Sequence, residues 1–436
     1  MRILFAAILA CASVLANAAE LPPPLTDADF IETPEAEVRL GHLLFWDPIL
    51  SGNRNISCGS CHHPRFATGD GLSLGLGEGG VGLGPERRAD PTNVPEQRIP
   101  RNSPALFNLG ARSLTTLFHD GRIEADAARP SGFRTPLGAE MEAGFANLVS
   151  AQTMFPVLSA DEMAGHYQEN DVAKAVRQGR ITGSGGAWDI ISKRVEAIQE
   201  YRAMFDAAYP DKAGGPIHFT DISNAIAAFM AAEWRANQSP FDSFLRDGTA
   251  LPAQAAKGLA LFYGPAGCGD CHSGRLLSDQ QFHAMGQPQL GPGKAARFES
   301  HKNDTGRMRV TGRVEDAYAF RTPMLRNVTR TGPWGHAGAF SDLERFLRHH
   351  VDPVAGLAAY EPDATLPPLE VDDWSVLQDA TLVADITKAV SRTPVDLGDA
   401  EMTAILAFLD ALTDETSLAG RLGVPAAVPS GLSVDR

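Results

Sequence analysis

The pentapeptide Cys-x-x-Cys-His occurs twice in this chain, as Cys58-Gly59-Ser60-Cys61-His62 and as Cys268-Gly269-Asp270-Cys271-His272. Two thiols three positions apart can each add to a vinyl group of one haem, and the histidine that follows then lies beneath the iron. Of the five cysteines, Cys11 sits in the leader and the other four fill the two motifs, so none remains for a structural disulfide. Two redox dithiols would not need a histidine after the second cysteine. A four-cysteine zinc site would have to join pairs 210 residues apart (268 − 58). The chain therefore reads as a c-type cytochrome with two haem c groups, one on Cys58, Cys61 and His62, the other on Cys268, Cys271 and His272.

The flanks of the motifs repeat as well. Leu40-Gly41-His42-Leu43-Leu44-Phe45-Trp46 precedes the first and Lys257-Gly258-Leu259-Ala260-Leu261-Phe262-Tyr263 the second. Each predicts a helix with leucine and aromatic side chains on one face. Each half also closes on an amphipathic helix. Ile222, Ile226, Phe229 and Met230 form the first stripe, with Thr220 or Asp221 as N-cap. Met402, Ile405, Leu406, Leu409 and Leu412 form the second, after Asp399. A leading helix, the haem motif and a closing helix, used twice, is the plan of two cytochrome c-type helical domains. The predicted class is mainly α, with domains over 25–238 and 239–420 and a break at the turn-rich Asn237-Gln238-Ser239-Pro240. The glycine- and proline-rich segments 69–84 and 286–293 read as loops around a haem edge or as plain surface loops. Residues 360–394 carry mixed signals and are assigned to no element.

A chain of 436 residues with 44% hydrophobic and 21% charged residues has the composition of an ordinary globular protein. The net charge of −15 disfavours nucleic acid and points to neutral or basic partners. Arg2, the apolar run 3–15 and Ala16-Asn17-Ala18 make residues 1–18 an export signal, which directs the mature chain to the periplasm. A lipoprotein cleavage box, Ile8-Leu9-Ala10-Cys11, is the rival reading of this leader. No run is long enough for a membrane span.

The order of motifs resembles the bacterial di-haem cytochrome c peroxidase and MauG family. Arg101-Asn102-Ser103-Pro104-Ala105-Leu106-Phe107-Asn108, Phe118-His119-Asp120-Gly121-Arg122, Glu162-Met163, Ser239-Pro240-Phe241-Asp242, Pro323-Met324-Leu325-Arg326-Asn327 and Thr331-Gly332-Pro333-Trp334-Gly335-His336-Ala337-Gly338 carry the resemblance. It implies a peroxidatic haem at His62, an electron-transfer haem at His272, and Gln152 and Glu162 as the distal pair. A carboxylate there would move a proton between the two peroxide oxygens. Glu140, in Glu140-Met141, is a competing match for the distal acid. The resemblance also implies Ca²⁺ between the haems, at Asn102, Thr331 and Pro333, whose amide and carbonyl oxygens suit a hard cation. For partners it implies hydrogen peroxide and either a small periplasmic electron donor such as a c-type cytochrome or a protein substrate, and it leaves room for a homodimer.

Three departures from the family pattern bear on function. No histidine lies between His63 and His119, so the loop after the first haem lacks the family's blocking ligand, and the first iron is expected to be five-coordinate or water-bound, as in MauG. His119 stands where the family has an inter-haem tryptophan, and imidazole is the poorer hole carrier. The position of the distal ligand to the second haem, methionine in the peroxidases and tyrosine in MauG, is here His350. Leu343, Phe346, Leu347 and His350 share one helical face, which turns His350 inward and His349 elsewhere. His349, Met308 and Met324 are the alternatives. Bis-histidine ligation predicts a lower potential than histidine–methionine ligation.

Overall fold

The structure, a computed structural model, describes residues 20–294 and 302–436; the export leader with Cys11 lies outside the described residues. It is mainly helical, and its described strands are short and antiparallel, as in the three-stranded sheet of Thr116–Leu117, Ile123–Ala125 and Phe133–Arg134 and the pair Phe282–Ala284 with Ala319–Arg321.

In the first half the leading helix, Glu35–Trp46, crosses the closing helix, Phe219–Glu233. Gly41 permits the crossing, because a Cβ there would fall 1.8 Å from the Ala225 carbonyl oxygen. Phe45 then meets Phe229 with ring centroids 5.3 Å apart. The second half repeats the arrangement with Ala253–Phe262 and Asp399–Asp410. A Cβ on Gly258 would lie 1.9 Å from the Ala404 oxygen, and Phe262 meets Phe408 at 5.1 Å. Each crossing seeds its own core. One apolar cluster gathers side chains from Leu40 to Ala236, and another gathers Phe241 to Leu412.

The closing helices begin slightly earlier than their sequence signals suggest. The first is capped by His218, and Asp221, predicted as a cap, instead accepts the His218 backbone N–H at 3.1 Å from the third helical position. The second is capped by Gly398, with Asp399 as the first helical residue and Glu401 accepting the Gly398 N–H at 2.8 Å.

The glycine-rich segment after the first motif is interior chain. Leu72, Leu74 and Leu76 alternate into the core, while buried Glu78 accepts hydrogen bonds from Asn53 at 2.9 Å and Asn55 at 2.7 Å. The unassigned stretch 360–394 contains the helix Ala380–Ala389 and packs on that loop, with Ser73 N–H donating to Thr365 O at 2.9 Å. The last residues run back over the first half. His42 bonds to Gly423 O at 2.7 Å, Ser430 Oγ donates to Asp47 at 2.6 Å, and Val428 joins the first core.

Candidate active site

Each Cys-x-x-Cys-His motif starts with one 3-10 turn, Cys58–Ser60 or Cys268–Asp270, which puts both thiols of the motif beside the histidine. The turn of the first motif is pressed onto the leading helix, since a Cβ on Gly59 would sit 2.3 Å from the Trp46 ring. His62 donates its Nδ1–H to Thr68 O at 2.9 Å, and His272 donates its own to Leu277 O at 3.1 Å. Both bonds fix the tautomer that leaves Nε2 with its lone pair free for a metal. Burial lowers the pKa of both histidines, His272 to about 4, so each imidazole is neutral. All four thiols are free of disulfides, and burial raises Cys58 and Cys61 to about 12. A thiol pair and an oriented imidazole at each motif fit a covalently attached haem.

One cavity is lined by both histidines and draws its walls from both halves. Gln152 and Glu162 belong to its lining. Gln152 lies on the helix Leu148–Thr153, capped by Asn147, whose side chain accepts the Ser150 N–H at 3.0 Å. Pro156 ends that run, and Glu162 follows on a single π-type turn, Ala160–Ala164, an irregularity common at functional sites. The haem-side loop pins this turn: Glu78 N–H donates to Asp161 O at 3.0 Å, and a Cβ on Gly77 would lie 2.2 Å from the same oxygen. Burial raises the pKa of Glu162, while Lys294 and then Arg122 oppose the rise. Glu140, the competing acid, is exposed and does not line the cavity.

His350 lines the cavity with His272, and its Nδ1 bonds back to Phe346 O at 3.2 Å. Burial, then the neighbouring His349 and His272, pushes His350 down to about 3, so it too is neutral. His349 is also buried, but its Nε2 donates to Met285 O at 2.9 Å, away from the cavity. Of the alternative methionines, Met324 lines the cavity and Met308 does not.

His119 lines the same cavity among charged neighbours. Burial, then Arg101, His336 and Arg321, hold it well below the ordinary histidine pKa. Arg101 bridges the halves, reaching Asp120 at 2.7 Å and Asp304 at 2.7 Å. Arg122 also holds Asp120, at 3.1 Å, and Arg307 reaches Glu124 at 2.6 Å. His336 stacks on Phe320 with centroids 3.8 Å apart and bonds through Nδ1 to Gln287 Oε1 at 3.0 Å. Asn102, Thr331 and Pro333 line the cavity too. The Asn102 Nδ2 donates to Leu72 O at 2.8 Å, and its backbone N–H donates to His336 O at 2.9 Å. Sequence reasoning passed over Lys294 and Phe320, which line the cavity, and Asp304, which pairs with Arg101; nothing in their local sequence marks them, because only the apposition of the halves gives them these places.

Two helical frames around one shared cavity, each presenting two cysteines and an oriented histidine, describe a di-haem cytochrome c architecture. The family model for di-haem cytochrome c peroxidase matches residues 35–250. The chain is 30% identical over 322 residues to the methylamine utilization protein MauG of Methylorubrum extorquens, covering 73% of this chain and 69% of that one. It is 29% identical over 325 residues to the cytochrome c551 peroxidase of Pseudomonas aeruginosa, covering 74% of each. Among solved structures it is similar to a MauG-like protein associated with microbial copper homeostasis (TM-score 0.59, 25% identity, 93% of this chain and 97% of that one). The fold is also that of the dihaem peroxidase BthA from Burkholderia thailandensis (TM-score 0.58, 18% identity, 97% of each chain). The chain belongs to the di-haem cytochrome c peroxidase and MauG family, a family of oxidoreductases.

Proposed function

We propose that this protein reduces hydrogen peroxide at the His62 end of the cavity, with electrons arriving from a small periplasmic redox protein by way of the His272 end. The observation that supports the reading is that Glu162, Gln152 and His350 line one cavity together with His62 and His272. Cys58, Cys61 and His62 would hold a haem that supplies redox-active iron for peroxide reduction, and Cys268, Cys271, His272 and His350 would hold one that supplies a second store of electrons. Glu162, ionised, takes the proton from one peroxide oxygen and returns it to the other as the O–O bond breaks. Gln152 orients the peroxide by hydrogen bonding. The reaction balances as one peroxide, two electrons and two protons to two waters.

His350 closes the second site, which leaves it to pass electrons only. His119 is a neutral hydrogen-bonding residue between the sites rather than a hole carrier, given the cations around it. Asn102, Thr331 and Pro333 are the candidates to hold Ca²⁺. The two domains run over 25–238 and 239–420, and the leader 1–18 delivers the chain to the periplasm; among the described residues no helix is long and apolar enough to cross a membrane.

Peroxide-dependent oxidation of a reduced c-type cytochrome by the purified protein tests the reading. No turnover with several donors, together with a long-lived oxidised product, would overturn it in favour of a MauG-like oxidation of a side chain on a partner protein. That second reading draws on the missing blocking histidine and the absence of methionine at position 350. A plain electron carrier with two closed haems would show no spectral response to peroxide or cyanide.

A further inference from the structure

A further pair of matching segments lies beside the two haem motifs: Ser103-Pro104-Ala105-Leu106-Phe107-Asn108 in the first half and Thr322-Pro323-Met324-Leu325-Arg326-Asn327 in the second. Both end on an asparagine in the left-handed region, Asn108 at φ +59° and Asn327 at φ +62°. Each asparagine Oδ1 accepts a backbone N–H just beyond its closing helix, from Ala236 and from Asp414, both at 2.7 Å. The starts of the two segments differ in what they do to the motif histidine. The Ser103 Oγ–H donates to Cys61 O at 2.8 Å, and its oxygen lies 3.3 Å from His62 Nδ1. The one hydroxyl proton is engaged by the carbonyl, so toward the ring Ser103 offers a lone pair. With Nε2 on a metal the ring proton sits on Nδ1, and Ser103 Oγ then shares it with Thr68 O, at 2.9 Å.

The Thr68 carbonyl is itself held in place. Thr68 is fully buried at φ +66°, a conformation that a β-branched residue keeps only where its surroundings impose it. Its Oγ1 accepts the Leu106 N–H at 2.8 Å. The segment 103–106 therefore reaches the His62 N–H twice, directly through Ser103 and by way of Leu106 and Thr68. In the second half Leu277, at φ +53°, takes the place of Thr68 and has no hydroxyl, while Ser278 Oγ donates to Thr322 O at 2.6 Å. Among the described residues no side chain bonds to His272 Nδ1, which has Leu277 O at 3.1 Å.

We propose that Ser103 is a positioning residue of the first centre, a second acceptor for the His62 Nδ1–H that makes this imidazole a stronger electron donor to iron than His272. The proposal rests on the peroxidase reading of the first centre. An acceptor at the far ring nitrogen raises the basicity of a ligating histidine. Electron density pushed onto a haem iron favours cleavage of an O–O bond. The push serves the centre that reacts with peroxide and has no use at one that only passes electrons.

The test uses the holoenzyme, with both haems quantified, as wild type, Ser103→Ala and Ser103→Thr. Resonance Raman reads the iron–histidine stretching frequency of the reduced first centre. Redox titration reads the ratio of reduced to oxidised form at each centre at a fixed potential, and stopped flow reads the rate with peroxide. In Ser103→Ala the stretching frequency should fall. The reduced-to-oxidised ratio of the first centre should rise about two- to tenfold, the effect of one ordinary hydrogen bond, and the peroxide rate should fall by a similar factor. The second centre should not move, and Ser103→Thr, which keeps the hydroxyl, should restore all three quantities. An unchanged frequency and ratio in Ser103→Ala overturn the proposal, and so do equal shifts at both centres. A Ser103→Ala variant that takes up no haem at the first motif overturns it too, because the hydroxyl then serves to hold the turn through Cys61 O. If the wild type ignores peroxide, the peroxidase reading fails, and the frequency and ratio still decide the role of Ser103.

Discussion

Gly41 and Gly258 hold the same place in two frames, each letting a leading helix press onto the backbone of a closing helix. Phe45 with Phe229, and Phe262 with Phe408, repeat the aromatic contact beside that crossing. His62 and His272 are oriented alike, by a hydrogen bond from Nδ1 to a carbonyl a few residues on. The cavity linings part company: the first half contributes Glu162 and Gln152, the second His350. Equal frames with unequal linings separate two tasks. On the proposed function, each frame would hold a haem, and the lining contributed by each half would decide whether anything else can reach its iron.

If that contrast is right, Glu162→Gln should cut the rate of peroxide reaction by about 10²- to 10⁴-fold, the range expected for a lost general base. Haem content and the spectrum of the second site should not change. Stopped-flow mixing with peroxide measures this, and a loss under about fivefold would erase the chemical distinction between the pockets. Next in size is Arg101→Met. Arg101 is shared by Asp120 of one half and Asp304 of the other, all three buried, so its loss leaves Asp304 without that partner. A destabilisation of about 3–5 kcal/mol is expected in urea unfolding. Both halves should weaken together, as followed by haem absorbance and by tryptophan fluorescence.

Much of the contrast can be read from the sequence because it is written in local patterns. The two motifs and the repeated Gly and Phe positions depend on residues within a few turns of one another, whereas the stripe expected to turn His350 inward and His349 elsewhere leaves His349 the less exposed of the two. Phe408 illustrates the limit. It is fully buried at the second crossing, yet the stripe drawn from Met402 to Leu412 passes over it, because the face a helix buries is set by its partner. The segment 69–84 reads as loop by composition but lies inside, since its polar backbone is satisfied by chain far away in sequence. The bridge through Arg101 and Asp304 spans 203 positions and has no local signature. Lys294 was invisible for the same reason, whereas Arg101 and Arg122 at least sat inside motifs.

His350→Met tests the lining contributed by the second half. Exchanging imidazole for thioether should raise the potential of the second centre by on the order of 0.1 V, a fraction of the roughly 0.8 V that axial ligands span. Redox titration should find the first centre unmoved and His349→Ala without comparable effect; equal shifts from both variants would remove His350 from the account. The frames themselves are tested by Gly41→Ala and Gly258→Ala. The added methyl would meet carbonyl oxygens at 1.8 and 1.9 Å, so each should cost about 1–3 kcal/mol of stability, and by similar amounts if the frames are equivalent.

The smallest effect concerns the charged bridge between the pockets at acid pH. Burial alone would raise the pKa of Asp120, but Arg101 and then Arg122 more than offset it and leave it lowered from 3.8 to about 2. Asp304 is lowered too, again against burial, chiefly by Arg101. A carboxylate depressed in the folded state adds stability that is fully present above its unfolded pKa and is lost as pH falls through the folded one. The bridge should therefore contribute fully above about pH 4 and fade toward pH 2. Unfolding free energy measured across that window should fall more steeply in the wild type than in Arg101→Met, where both carboxylates have lost their main cation and Asp120 keeps only Arg122. Parallel curves for the two proteins would mean that the halves are joined by packing rather than by charge, and the pockets would then differ only in what faces their iron.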